Sequence, residues 1–199
     1  DLVVDCTLGH SSATTGTATA TDDCSGVASI TESDSITSGS CAGNYIITRT
    51  WTATDNCGNT SSCNQTITIL DINGPVINCP FDLVVDCTIN PTSLTTGTAT
   101  ANDDCSGVAS ITESDAIAPG SCAGNYVISR TWTATDSCGN TSSCVQTITV
   151  IDTHGPVLAG VPADASADCA SLPAPATVTA TDDCSGVNTA GVVLTTTTS

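Results

Sequence analysis

"NYIITRTWTATDNCGNTSSCNQTITIL", residues 44–70, reads as two strands joined by a tight turn. In its first half Tyr45, Ile47, Arg49, Trp51 and Ala53 share one face, and Thr48, Thr50, Thr52 and Thr54 line the other with Ile46. Alternation with period two marks a half-buried strand, because successive side chains point to opposite faces. Cys57, Gly58 and Asn59 turn the chain, and Ile67 and Ile69 alternate with Thr66 and Thr68 on the return. The passage is a β-hairpin with one apolar face.

Most of it occurs twice. "RTWTATDNCGNTSSC" from Arg49 to Cys63 returns from Arg130 to Cys144, 81 residues on, with Ser137 in place of Asn56. "DLVVDC" at Asp1 and Asp82 keeps that offset, as does "DDCSGVASITESD" at 22–34 and 103–115. A partial third copy carries "DASADC" from Asp164 and "TATDDCSGV" from Thr179. Periods of this size mean an array of small domains. The boundaries fall at "LDINGPV" (70–76) and "IDTHGPV" (151–157), where Gly-Pro ends one strand and opens the next. They give a repeat lacking its first strand at 1–71, a complete repeat at 72–152, and the N-terminal half of a third at 153–199. No segment has helical periodicity, so the expected class is all-β: tandem Ig-like β-sandwiches.

The chain has thirteen Cys, two Arg, no Lys and a formal net charge of −18. Nucleic acid and anionic membranes require clustered cations, so neither is an expected partner. No apolar run approaches the roughly 18 residues of a membrane span, and no insertion is expected. So many Cys point to an oxidising setting, extracellular or at the cell surface. Zinc would want Cys or His at shorter spacing than Cys57 to Cys63, and His10 and His154 are isolated. Aromatic residues make up 3% of the chain, so its cores are thin. Disulfides of about 2–4 kcal/mol each are a sufficient reason for the cysteines.

"GPVINCP", "ATDDCSG" and "TWTATDNCGNTSSC…TITI" resemble the hyalin-repeat (HYR) type of immunoglobulin-like domain. More specifically, they are similar to the cysteine-rich version strung in tandem in secreted proteins of Bacteroidota-like bacteria. The resemblance covers essentially the whole chain and implies extracellular adhesive or structural arrays without catalysis. In related domains a first-strand Cys bonds a last-strand Cys, which here implies Cys79–Cys144.

The six Cys of a complete repeat allow 15 connectivities, and the incomplete copies prune them. The third copy holds only Cys169 and Cys184. Paired locally as Cys169–Cys184, they transpose to Cys87–Cys105 and Cys6–Cys24. The remainder then pair as Cys41–Cys57 and Cys122–Cys138, leaving Cys63 with a partner outside the chain. Two readings of that orphan stand. The 199 residues are a window on a longer polypeptide, or strands are shared head to tail between copies.

Each Arg lies two residues before a Trp on the inward face of its strand, and a half-buried charge needs a partner. The expected ion pairs are Arg49–Glu32 and Arg130–Glu113. No cofactor is required by any motif. Calcium is the candidate ion, with Asp71 and Asn73 in the linker and Asp22, Asp23, Asp103 and Asp104 in the recurring turns as oxygen ligands. Solvated loop carboxylates are the plainer reading. Paired carboxylates without an aromatic sugar platform do not make a glycosidase, and no enzymatic activity is expected. Asn59, Asn64 and Asn140 head Asn-x-Ser/Thr sequons, and "DSI" places Ser35 in an O-glycosylation pattern. These features define a rigid, glycosylated building block of an extracellular fibre, filament or surface stalk. Its partners are copies of itself or flanking repeats. An adhesin array binding carbohydrate or protein through its loops is the alternative.

Overall fold

The computed structural model describes residues 1–164, 166, 174, 176–184 and 186–187. The first copy of the repeat contains β1 (Leu2–Asp5), a single turn α1 (Ser12–Thr15), β2 (Val27–Ser38), β3 (Tyr45–Asp55) and β4 (Thr60–Leu70). The second adds β5 (Val76–Asn78) and then runs β6 (Leu83–Asp86), α2 (Ser93–Thr96), β7 (Thr100–Asn102), β8 (Val108–Pro119), β9 (Tyr126–Asp136) and β10 (Thr141–Ile151). From the third come β11 (Val157–Ala159), β12 (Thr179–Asp182) and β13 (Gly186–Val187). The fold is all-β.

The two nearly identical sequences build the same sheet. β1-β4-β3-β2 in the first copy matches β6-β10-β9-β8 in the second. β1 lies parallel to β4, with Leu2 opposite Ile67, and β6 lies parallel to β10, with Leu83 opposite Ile148. β5 pairs antiparallel with β7, Val76 facing Asn102. β12 lies between β11 and β13 in a third sheet.

The chain divides into two compact units that do not follow the 81-residue period. One holds Asp1–Cys79, Ala99–Glu113 and Trp132–Cys144; the other holds Pro80–Thr98, Ser114–Thr131 and Val145–Ser199.

Ile47, Ile67 and Ile69 are fully buried, with Val4, Cys6 and Tyr45 packed against them. Ile128, Ile148 and Val150 form the counterpart, flanked by Leu83, Val85, Cys87 and Tyr126. Three branched side chains at about 1.5–3 kcal/mol each make a small core. α1 and α2 are one turn long, too short for any periodicity to announce them. Each ends at a glycine with positive φ, Gly16 at 98° and Gly97 at 94°.

Candidate functional site

Arg49 is 2% exposed, and every nitrogen of its guanidinium has an acceptor. Nε and Nη2 donate to the two carboxylate oxygens of Asp34, each at 2.8 Å. Nη1 donates to Thr15 Oγ1 at 2.8 Å and Nη2 to the His10 carbonyl at 3.0 Å. Arg130 repeats the arrangement with Asp115 at 2.7 Å, Thr96 Oγ1 and the Pro91 carbonyl. The expected Arg49–Glu32 ion pair is present at the edge of ion-pair distance, but the close, bidentate partners are Asp34 for Arg49 and Asp115, rather than the expected Glu113, for Arg130. Register is the reason. Asp34 lies directly opposite Arg49, whereas Glu32 lies opposite Trp51 and its carboxylate stays 3.8 Å away. The Arg49 guanidinium sits 5.9 Å from the Trp51 ring centroid. Gln65 donates to the Thr15 carbonyl and Gln146 to that of Thr96, so Arg and Gln together fasten each short helix to its sheet. The arrangement is a structural clasp that joins each short helix to its sheet.

The disulfides redraw the expected scheme. Cys79 is bonded to Cys144, at a Cα separation of 5.9 Å. Cys6 is bonded to Cys105 rather than Cys24, Cys41 to Cys138 rather than Cys57, and Cys87 to Cys184 rather than Cys105. Cys169 lies outside the described residues, and Cys184 is taken by Cys87. Local pairing fails on distance. Cys6 follows β1 beside Leu70, whose carbonyl accepts its N–H, while the Cys24 loop lies beside Asn56 at the opposite end of the sheet. Cys41 and Cys57 stand at opposite ends of β3, which is 11 residues long. A strand of that length spans about 35 Å, and a disulfide needs Cα atoms within about 7 Å. Cys122 and Cys138 flank β9 in the same way, which excludes their expected bond. Cys24, Cys57, Cys63 and Cys122 are free and exposed among the described residues.

The bonds have a common plan. Cys87 is 81 residues beyond Cys6, and Cys184 is the third-copy counterpart of Cys105, so one linkage recurs one repeat later. Each ties the turn after the Leu-Val-Val-Asp strand of one copy, β1 or β6, to the Asp-Asp-Cys loop of the next.

Within the first compact unit these bonds surround the Leu70–Val76 linker. Gly74 approaches the backbone so closely that a Cβ there would lie 2.6 Å from the Thr141 carbonyl oxygen. Pro75 is fully buried, and Ser142 Oγ donates to its carbonyl. Asp71 N–H donates to Asn44 Oδ1 at 2.6 Å. The same linker brings together Asp71, Asp103 and Asp136, each of which offers one carboxylate oxygen within 4.8 Å of those of the other two. Asp103 Oδ1 accepts the N–H groups of Cys105, Ser106 and Gly107. Asp136 accepts those of Cys138 and Asn140 and the Asn140 side-chain amide. Burial pushes the Asp136 carboxyl up, but these hydrogen bonds outweigh it and hold the group below its ordinary range.

Of the expected calcium ligands, Asp71 and Asp103 are thus together, and Asn73 and Asp104 line the same cavity of about 160 Å³. Asp136 was not among them. Asp22 and Asp23 are exposed, and Asp22 Oδ1 holds its own loop through Cys24, Ser25 and Gly26. Asn73 donates to Asp5 at 2.9 Å, and His154 lies 3.5 Å from Asp86. Ser35, Asn59 and Asn64 are exposed. Asn140 is half-buried and its amide donates to both Asp71 O and Asp136 Oδ2, so a glycan there would cost it a hydrogen bond.

The first copy has an opening that the second lacks. Thr19–Thr21, the counterparts of β7, form no strand, and a cavity of about 120 Å³ is lined by Ala18, Ala20, Ile30, Trp51 and Cys63. Trp51 and Ala53 are half-buried, whereas Trp132 is 4% exposed and Ala134 fully buried where β5 and the Cys79–Cys144 bond are present.

No family model matches the chain, and no curated protein does. Among solved structures it is similar to Drosophila N-cadherin EC1-4, at 14% identity and a TM-score of 0.35 over 62% of this chain and 41% of that one. It is similar as well to a protocadherin gammaB7 EC3-6 cis-dimer structure, at 15% identity and a TM-score of 0.34 over 76% and 51%. The chain spans about half or less of the length of these structures.

Proposed function

We propose that the chain is a structural building block of an extracellular fibre, filament or surface stalk, in which hyalin-type Ig-like repeats are joined covalently in series. The observation that carries this reading is the recurrence of one linkage, Cys6–Cys105 and Cys87–Cys184, across successive copies of the repeat. A bond that fastens each repeat to the next serves extension, and it has no bearing on a reaction. This reading keeps the repeat boundaries at 71/72 and 152/153 that the sequence period gives. The disulfides favour an extracellular or cell-surface setting, since cytosolic thiols are kept reduced. The exposed Ser35, Asn59 and Asn64 are the positions best suited to carry glycans.

The same plan accounts for the free thiols. Cys24 and Cys57 are the counterparts of Cys105 and Cys138, which bond to a preceding repeat; Cys122 is the counterpart of Cys41, which bonds to a following one. The partners of this chain are therefore repeats of its own kind.

Non-reducing peptide mapping by mass spectrometry tests the reading. The expected result is Cys6 joined to Cys105 and Cys87 to Cys184, with Cys24 and Cys57 of native material joined to cysteines in the sequence contexts of Cys6 and Cys41. Finding Cys6 joined to Cys24, or Cys41 to Cys57, would defeat it.

A further inference from the structure

We infer that Asp71, Asp103 and Asp136 form a calcium site at the junction between successive repeats. Asp71 and Asp136 are 5% and 2% exposed, and Asp103 is half-buried. Three carboxylates this close repel one another strongly where water cannot screen them. Each has one side anchored: Asp103 and Asp136 by backbone N–H groups, Asp71 by the Asn73 N–H at 3.3 Å. Asp71 Oδ2 remains buried without any hydrogen-bond partner. A buried, unpartnered carboxylate oxygen on a residue grouped with two further carboxylates is the arrangement a bound cation completes.

The donor set selects the ion. All three side chains offer oxygen, and the neighbouring Cys6 and Cys105 are consumed in a disulfide, so a soft, thiolate-seeking metal has nothing to bind. The ligands come from three separate segments, with Asn73, Asn102 and Asp104 around the adjoining cavity to supply or orient further oxygens and water. Irregular oxygen coordination of six to eight ligands suits calcium better than magnesium, which demands a near-ideal octahedron. The repeat explains the site's place. Asp71 closes the last strand of one copy, while Asp103 and Asp136 belong to two loops of the next. Asp22 and Asp55, their first-copy counterparts, have no Asp71 equivalent beside them among the described residues. A cation here would lock the Leu70–Val76 linker to the loops that already carry Cys105 and Cys138. The site stands or falls independently of the fibre reading.

The test is thermal unfolding of the full, oxidised chain after chelation and on titration with calcium or magnesium, for wild type, Asp71→Asn and Asp23→Asn. Asp71→Asn keeps the shape and removes one charge, and its disulfide map checks that it has folded. Calcium should raise the wild-type midpoint by about 5–10 °C at a hundred times its dissociation constant. Asp23→Asn should respond like wild type. Asp71→Asn should lose the response and, metal-free, melt above metal-free wild type because the repulsion is relieved. No wild-type response by about 10 mM calcium, beyond the range of extracellular modules, overturns the site. An undiminished response in Asp71→Asn overturns it too, and a response to magnesium alone overturns the choice of ion.

Discussion

Cys6 and Cys105, 99 residues apart in the chain, meet with Cα atoms 6.0 Å apart and are bonded. A cross-link closing so long a loop removes much of the unfolded chain's freedom. Cys6→Ser with Cys105→Ser should therefore lower the free energy of unfolding by about 2–4 kcal/mol. Cys24→Ser, at a free and exposed position, should leave it within about 0.5 kcal/mol of wild type. Chemical denaturation of the oxidised proteins measures both, and equal effects from the two sites would contradict the assignment.

Asp34, the register partner of Arg49, should matter more than Glu32. Asp34→Asn leaves a buried guanidinium short of its counter-charge. Asp34 is about a third exposed, which trims the effect to about 1–2 kcal/mol. Glu32→Gln, removing a carboxylate 3.8 Å away, should cost less than about 0.5 kcal/mol. If Glu32→Gln proves the more damaging, the clasp is misassigned. The same pair sets a pH dependence. The hydrogen bond from Arg49 holds the Asp34 carboxyl below its ordinary value of 3.8. A depressed folded pKa means stability that is fully present above the unfolded value and lost as pH falls through the folded one. Unfolding free energy should thus decline below about pH 4, and less steeply in Asp34→Asn. Parallel slopes would show that Asp34 does not contribute.

How far the sequence reaches is visible in these two cases. Period two along 44–70 located β3 and β4 and put Arg49 on the buried face, because side-chain alternation is a local property. Ile30, Glu32 and Asp34 share one parity on β2, so both carboxylates face the right way, and only the cross-strand register separates them. Register is a relation between strands, and alternation along one strand does not contain it. The disulfides differ. Cys41 precedes β3 and Cys57 follows it, so the length of the strand already forbids their bond. That signal lay in the sequence, but the two-cysteine third copy suggested local pairing and hid it. Asp136 is legible as a recurring hairpin carboxylate but not as a neighbour of Asp71 and Asp103, which are 65 and 33 residues earlier in the chain, and only the folded junction brings them together.

Gly74 should tolerate no side chain. A Cβ would meet the Thr141 carbonyl carbon at 2.8 Å and its oxygen at 2.6 Å, and backbone cannot swing aside as a flexible side chain can. Gly74→Ala should therefore destabilise the chain by about 1–3 kcal/mol. Gly155, which has no neighbour within 4 Å of a Cβ, should accept alanine within about 0.5 kcal/mol. Unfolding midpoints of the two variants decide the matter: a neutral Gly74→Ala would mean that the linker does not pack on β10 as described.

Trp51 and Trp132 occupy equivalent positions in nearly identical hairpins, yet only Trp132 is closed over, in the copy where β5 is bonded through Cys79 to Cys144. The opening beside Trp51 should then accept a strand with the chemistry of β5. A synthetic peptide of the Gly74–Pro80 sequence, added to the full chain in a thiol–disulfide redox buffer, should form a mixed disulfide with Cys63, the counterpart of Cys144. As it docks along Thr19–Thr21 it should cover Trp51 and shift its fluorescence to shorter wavelength, while Trp132 stays silent. Cys63→Ser should abolish the covalent adduct and weaken the shift. A peptide with Val76 and Ile77 replaced by Asp should neither dock nor couple efficiently, since strand pairing and apolar contact supply the recognition. Equal coupling by the two peptides would mean that Cys63 is merely an accessible thiol and that the opening is not a strand site.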